Sequence, residues 1–180
     1  MKNKIQEINT MIKQTLILLN ILILTSCAGT IQTTQQTQNT ITNYKKAYII
    51  SAKNSQYIKF KFGVITPFAY VVLPDDPAQK HEKIGNTDII IKQELEKHGI
   101  KAEIGTEGDV PNDIDLIVMY NDTWRWDFKN ILDRLDIVCI SPTDNKELAK
   151  STYNIHKSKE FHNFPTPEKE VPKMIKKLLK

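Results

Sequence analysis

Apolar and polar residues alternate along the chain in a way that predicts short strands and two helices. The β-branched run at 47–50 predicts a central strand, and alternation at 100–104 predicts a second one. Between them, 86–99 has the pattern of a helix capped at Asn86 and Thr87 and ended by a left-handed Gly99, with Ile91 and Leu95 on its buried face. We therefore expect a parallel β-α-β unit with a right-handed crossover.

In the second half of the domain, the apolar pattern predicts three strands followed by a C-terminal helix. Residues 114–120 are almost continuously apolar, and the runs 131–140 and 147–153 are separated by a short turn typical of an antiparallel hairpin. The final helix opens at Thr166, Pro167 and Glu168, and Pro172 is expected in its first turn. Its apolar residues recur at helical spacing: Val171, Met174, Ile175, Leu178 and Leu179. We expect this stripe to pack on the sheet, with adsorption of a basic amphipathic helix to a membrane as the alternative.

Together these elements predict a single small α+β domain over residues 44–180. Its mixed β-sheet is expected to have about four to six strands, with two helices packed on one face. A hairpin or paired extended segments are expected around 58–73. Residues 27–43 are rich in Thr and Gln and carry no charge, so they predict a flexible tether ahead of the domain.

Charge and cysteine content narrow the function classes. Residues 1–26 hold three Lys and one Glu of the chain's 25 basic and 21 acidic side chains, so the remainder is nearly balanced. This argues against a nucleic-acid partner, despite a sequence pI of about 8.9. The chain has two cysteines, Cys27 and Cys139, and Cys139 lies in an apolar strand pattern expected to bury it as a small hydrophobe.

The amino-terminal pattern is that of an export signal. Lys2, Lys4 and Lys13 precede the apolar run 16–24, which is too short for a membrane-spanning helix. Met11 is an alternative start, because a complete signal follows it. The run ends in Leu24-Thr25-Ser26-Cys27, which resembles the lipobox of bacterial lipoproteins.

The resemblance to lipoproteins implies where the protein is located and how it is attached to a membrane. It implies cleavage of a 1–26 signal peptide and attachment of fatty acyl chains such as palmitate to Cys27, which would link the protein to a membrane. Two or more chains hold a protein stably on a bilayer. Since Ala28 follows the cysteine, the resemblance further implies the periplasmic face of the outer membrane in a Gram-negative organism.

Two aromatic groups are the candidate partner-binding residues. Trp124, Arg125 and Trp126 place two indoles on one side of an extended chain, between Asp122 and Asp127. They are expected either to bind a protein or glycan of the envelope or to cap the edge of the core. With Tyr120, this segment resembles a Tyr-x-Asp-x-Trp-x-Trp-Asp pattern of small uncharacterised bacterial lipoproteins. The second group lies in the 57–73 region and consists of Tyr57, Phe60 and Phe62.

No catalytic or metal-binding motif stands out, so we expect no cofactor, no metal and no enzyme activity. The favoured hypothesis is a lipid-anchored accessory module for binding or assembly in the cell envelope. One alternative is an envelope hydrolase using Asp122 and Asp127; another is an accessory subunit of an envelope transporter with an apolar groove along 57–73. At the level of fold, the predicted topology resembles small periplasmic lipoprotein domains such as the penicillin-binding-protein activators and the amino-terminal domain of the translocation protein TolB.

Overall fold

The computed structural model describes residues 30–36, 41–59, 64–65, 67, 70–71, 76–126, 128–155 and 164–180. These residues belong to one compact unit, Gly29–Ile155 with Phe164–Lys180. Several residues singled out from the sequence lie outside the described residues: Cys27, Phe60, Phe62 and Asp127.

The described part of the chain contains ten strands and two helices. The strands are β1 Thr30–Gln35, β2 Lys46–Ile50, β3 Asn54–Ile58, β4 Val64–Ile65, β5 Tyr70–Val71, β6 Gln79–Glu82, β7 Lys101–Gly105, β8 Leu116–Trp126, β9 Asn130–Ile140 and β10 Glu147–Asn154. The helices are α1 Thr87–Lys97 and α2 Pro167–Leu178, and short 3-10 turns cover Ile41–Asn43 and Glu107–Asp109.

Eight strands form one mixed sheet in which the path β1-β10-β9-β8-β2-β7 is continuous. Strand β2 is parallel to both β7 and β8, whereas β8, β9, β10 and β1 are successively antiparallel. Beyond β2, strand β3 runs parallel to the end of β8 and pairs with β6 on its other side. The predicted α+β class, the mixed sheet and the parallel unit are therefore confirmed, although the expected four to six strands understate the sheet.

The strands β4 and β5 form a separate antiparallel pair, with Val64 opposite Val71 and Ile65 opposite Tyr70. The hairpin expected around 58–73 is thus present over these four residues.

The first helix matches its prediction in extent but not in its cap. Gly99 adopts φ +82°, the left-handed conformation that ends a helix at low steric cost in glycine. Asn86 precedes the helix without making a side-chain capping bond. The side chain of Thr87 donates instead to Asp122 of β8, at 3.0 Å from Oγ1 to Oδ2. The prediction of a side-chain cap was therefore wrong: Asn86, at φ −128° and ψ 38°, makes no capping bond, and the Thr87 hydroxyl contacts β8.

The second helix starts at Pro167, whose missing N–H costs nothing at the first helical position. Pro172 lies five residues further along, inside the helix, so the prediction that it occupies the first turn was wrong. The first turn is closed by the carbonyl of Thr166, which accepts from the N–H groups of Lys169 and Glu170 at 3.0 and 3.1 Å.

Both helices pack on the same face of the sheet. Ile91 and Leu95 of α1 share one apolar cluster with the stripe of α2, whose residues Val171, Met174, Ile175 and Leu178 are at most 1% exposed. A stripe buried in this way has no apolar surface left for a bilayer, so the membrane-adsorbed alternative for this helix was wrong.

Strand β1 corrects the predicted tether of 27–43. Thr30–Gln35 forms the edge of the main sheet and pairs with β10 along its whole length, from Thr30 opposite Asn154 to Gln35 opposite Ala149. It is also held by side chains, because Gln35 Nε2 donates to the Leu178 carbonyl and Lys177 Nζ to the Ile31 carbonyl. The folded unit therefore begins by residue 30.

Candidate functional site

The Trp124-Arg125-Trp126 segment forms the end of β8, six residues beyond the predicted end of that strand. It pairs with β3 on one side and with β9 on the other. A bulge at Asp133 of β9 interrupts the second pairing between Thr123 and Trp124. The three side chains that were predicted to act together therefore lie on a strand end that is paired on both sides.

The two tryptophans have different environments. Trp124 is 4% exposed and belongs to the core, whereas Trp126 is 53% exposed. The ring of Trp124 lies so close to Gly85 that a Cβ there would be 3.3 Å from ring carbons. Gly85 has φ +74°, so the chain passes over the indole in a conformation suited to glycine. Of the two alternatives for the pair, core capping holds for Trp124 and solvent exposure for Trp126.

Arg125 points to the other face of β8 and forms an ion pair with Asp133. Both side chains are mostly covered, at 18% and 14% exposed. An arginine held by a carboxylate at the bulge fixes the geometry of the hairpin. Arg125 and Trp126 therefore lie on opposite faces of β8.

The exposed aromatic residues gather at the turn that joins β8 to β9. Trp126 is 53% and Phe128 76% exposed, and Phe128 has φ 58°. Lys129 follows, and its Nζ lies 4.6 Å from the ring centroid of Phe164, a cation-π contact. We call Trp126, Phe128 and Lys129 the hairpin tip. Phe128 was not singled out from the sequence, since a lone Phe in a short polar segment gives no signal.

Tyr57 lies beside this segment, as the partner of Trp124 in the β3–β8 register. Its ring is stacked at a tilt on His81 of β6, with the centroids 5.3 Å apart. Its hydroxyl donates to Asn130 Oδ1 at 3.5 Å, next to the hairpin tip. Of the second predicted aromatic group, only Tyr57 is among the described residues.

Asp122, a candidate hydrolytic carboxylate, is 1% exposed and faces the core. Its Oδ2 accepts from Thr87, and its Oδ1 has no hydrogen-bond partner among the described residues. A carboxyl group with so little accessible surface does not line an open cleft, and its predicted companion Asp127 lies outside the described residues.

A polar network lies where β2 ends and β3 begins, and no sequence motif points to it. Ser51 Oγ donates to Asp88 Oδ2 at 2.7 Å, and Lys83 Nζ donates to Ser51 Oγ at 3.0 Å while forming an ion pair with Asp88. Burial alone would raise the pKa of Asp88, but the bonds from Lys83 and Ser51 outweigh it and hold this pKa below its ordinary value. The Ser51 hydroxyl thus donates to a carboxylate and accepts from Lys83. The network joins the strand break to the start of α1.

Tyr120 completes this region from β8. Its hydroxyl accepts from the Ala52 N–H at 3.3 Å, and burial together with the charge of Asp88 raises the pKa of Tyr120 to about 12. The phenol therefore stays protonated at neutral pH and fixes the strand break.

The sheet face away from the helices carries a second charged cluster. Arg134 Nε donates to Asp136 Oδ2 at 2.9 Å, and the Thr152 hydroxyl donates to Oδ1 of the same carboxylate. Burial opposes ionisation of Asp136, yet these donors hold its pKa below its ordinary value. Both donors to the Asp136 carboxylate thus come from strands of the same sheet.

Three aspartates in the loop between β7 and β8 have partners within the fold itself. Asp115 Oδ2 accepts from the N–H groups of Lys45 and Lys46 at 3.1 Å each, and Asp113 forms an ion pair with Lys46. Asp109 accepts from the hydroxyl of Thr106 at 2.7 Å. Within the described residues, no three His, Cys, Asp or Glu side chains are grouped to hold a metal ion.

Cys139 is buried at 2% exposure, as its strand pattern predicted. Burial raises the pKa of its thiol to about 12.

The described helices include none that is both long and apolar enough to cross a bilayer.

Comparisons with known proteins give distant structural likenesses. The chain matches no family model and no curated protein sequence. A PelC variant dodecamer from Paraburkholderia phytofirmans is similar at a TM-score of 0.49 and 11% identity, over 84% of this chain and 96% of that one. A DUF4136 family protein from Bacteroides thetaiotaomicron has a TM-score of 0.47 and 9% identity, over 83% of this chain and 95% of that one. At these values the likenesses carry no functional argument, and the function must be argued from this chain's own residues.

Proposed function

We propose that this chain is a lipid-anchored, non-catalytic module for binding or assembly at the periplasmic face of a bacterial outer membrane. The observation that carries the proposal is Leu24-Thr25-Ser26-Cys27 at the end of an apolar run of signal-peptide length. The thiol of Cys27 is the acceptor for the lipid, and Ala28 after it favours the outer membrane.

The environment of the candidate residues supports a binding role over hydrolysis. Asp122 is buried against Thr87, and Lys83 is neutralised by Asp88 next to Ser51. The described side chains that reach solvent near the predicted segment are instead the aromatic residues Trp126 and Phe128. Exposed aromatic rings are typical of contact surfaces.

Mass spectrometry of the membrane form tests the anchor. The full chain would be expressed in a Gram-negative host and extracted first with buffer and then with detergent. We expect the protein only in the detergent extract, starting at Cys27 and heavier by a diacylglyceryl group and an amide-linked acyl chain. The control Cys27→Ser should keep its leader and gain no lipid mass. An intact leader or an unmodified Cys27 in the wild-type protein would refute the anchor.

Crosslinking in intact envelopes tests the binding role. A photo-crosslinking residue placed at an exposed position such as Ile89 or Met119, 45% and 37% exposed, should capture a discrete envelope protein or glycan product. The product should disappear in the Cys27→Ser variant, because that chain never reaches the same surface. Turnover of an envelope polymer by the purified protein, with no crosslinked product at any exposed position, would favour the hydrolase.

A further inference from the structure

We propose that the hairpin tip, Trp126, Phe128 and Lys129, inserts its aromatic side chains into the headgroup region of the membrane to which Cys27 is anchored. The inference rests on the proposed lipid anchor and adds a second, non-covalent contact with the same bilayer. Its basis is the direction of the strands, the length of chain available to the anchor, and the chemistry of the tip.

Strand direction places the anchored end of the chain and the hairpin tip at the same end of the sheet. The register joins Thr30 of β1 to Asn154, Asn154 to Arg134, and Arg134 to Thr123 of β8 in one row across the sheet. Strand β1 runs away from that end, whereas β8 runs toward it and finishes there at Trp126. The chain that precedes Thr30 therefore enters on the side of the tip.

The distance from the row of Thr30 to the tip is similar to the length of chain between Cys27 and Thr30. Beyond the row of Thr30, β8 continues by three residues to Trp126, or about 10 Å at the rise of a strand. Whatever their conformation, the three peptide steps from Cys27 to Thr30 span at most about 11 Å. The opposite end of the sheet lies about 30 Å from Trp126, given the length of β8. A bilayer that lies across these strand ends and holds the lipid of Cys27 is thus within reach of the tip.

The turn at the tip contains a residue that its backbone does not favour. Phe128 has φ 58°, a left-handed conformation that is unfavourable for a residue with a Cβ. The turn between β9 and β10, at the opposite end of the sheet, has Asn145 at φ 54°, a residue suited to that conformation. The Phe128 side chain is 76% exposed, so most of its surface is open to solvent.

The side chains of the tip match an interfacial environment. Tryptophan favours the headgroup level of a bilayer, where its ring is partly buried and its N–H stays near water. The ammonium of Lys129 can meet lipid phosphates while its stem lies on apolar surface. Transfer of the exposed parts of Trp126 and Phe128 from water into this region is favourable by the hydrophobic effect.

Fluorescence quenching by brominated lipids tests the contact. The chain has two tryptophans, so Trp124 in the core provides an internal reference for Trp126. The lipidated protein would be reconstituted in vesicles of phosphatidylethanolamine and phosphatidylglycerol, with and without bromine on the acyl chains near the headgroup. We expect bromine to quench the wild-type protein and to have little effect on Trp126→Phe, whose remaining emission comes from Trp124.

A second variant separates membrane contact from folding. Phe128→Asn places at this turn the residue found in the β9–β10 turn, so it should unfold at the same or a higher urea concentration than the wild type. It should nevertheless show weaker quenching of Trp126, because half of the aromatic surface of the tip is gone. A merely structural role for Phe128 predicts the reverse pattern, with lower stability and unchanged quenching.

The outcomes separate the inference from the anchor. A lipidated wild-type protein that is not quenched would overturn the tip contact and leave the anchor in place. Equal quenching in the wild type and in Trp126→Phe would also overturn it, since the bromine would then be acting on Trp124. A mature chain without lipid on Cys27 would overturn both proposals.

Discussion

The bond between Thr87 and Asp122 ties the start of α1 to the middle of β8, and removing it offers a quantitative test of this packing. Thr87 is 0% and Asp122 1% exposed, and their oxygens are 3.0 Å apart. Thr87→Val replaces the hydroxyl by a methyl group of similar size, which leaves the buried carboxyl without the donor seen in the structure. We expect the substitution to lower the free energy of unfolding.

The size of the effect follows from burial. Leaving a buried polar group unsatisfied costs about 1 to 3 kcal/mol, and the near-complete burial of Asp122 places this pair in the upper half of that range. For a protein of this size, the loss corresponds to a fall in melting temperature of about 4 to 12 °C. Thr87→Ser keeps the hydroxyl and should lose only the contribution of one methyl group, about 0.8 kcal/mol.

Urea denaturation followed by circular dichroism would measure these differences, and a double-mutant cycle would assign them. Leucine has nearly the shape of aspartate, so Thr87→Val with Asp122→Leu removes both partners together and should recover much of the loss. A Thr87→Val protein within a few tenths of a kcal/mol of the wild type would refute the argument. So would a double variant less stable than the sum of the single ones.

Three further predictions address other parts of the fold. Lys83→Met should lower stability by about 1 kcal/mol at pH 7, a modest value because the Lys83 side chain is 32% exposed. The folded state holds the pKa of Asp88 below its unfolded value, so this contribution to stability is present above about pH 4 and is lost as the pH falls. In urea unfolding, the difference in stability between Lys83→Met and the wild type should therefore be smaller at pH 3 than at pH 7. Gly105→Ala should lower the free energy of unfolding by about 1 to 3 kcal/mol in the same assay, because its Cβ would lie 1.8 Å from the Tyr48 hydroxyl. The control Gly108→Ala has nothing within 4 Å of its Cβ, so its free energy of unfolding should stay within about 0.5 kcal/mol of the wild type, as is usual for surface substitutions. Cys139, with burial raising the pKa of its thiol to about 12, should react with a thiol reagent in the Cys27→Ser background only after unfolding in urea; labelling of the native protein at pH 8 would contradict this.

The parts of the fold that could be predicted from the sequence are those set by short-range patterns. The parallel pairing of β2 with β7 follows from a strand, helix and strand in order, and Gly99 ends α1 as a local conformational need. Strand β1 could not be predicted in this way. Its Thr and Gln residues have no apolar period, and its pairing comes from β10, more than a hundred residues away, as in the Thr33 to Ser151 side-chain contact at 3.1 Å.

The candidate site could be located from the sequence but not divided into its parts. Strand alternation places Trp124 and Trp126 on one side of β8, yet only Trp124 meets the segment that carries Gly85. That segment comes from a part of the chain almost forty residues earlier, so the difference in burial depends on tertiary packing. The exposure of Phe128 depends on the left-handed conformation of the turn, which a Phe at this position does not predict.

Strand β1 also changes what an anchor at Cys27 would do. A flexible tether of 16 residues would let the domain move roughly 20 Å from its lipid. With Thr30 already in the sheet and tied through Ile31 and Gln35 to α2, two residues separate the anchor from the fold. A lipid on Cys27 would then fix the orientation of the domain as well as its location. The strand ends around Thr30 and Trp126 would face the bilayer, and a partner in the envelope would have to approach the open sheet face, the helices, or the far end at the Ser141 turn.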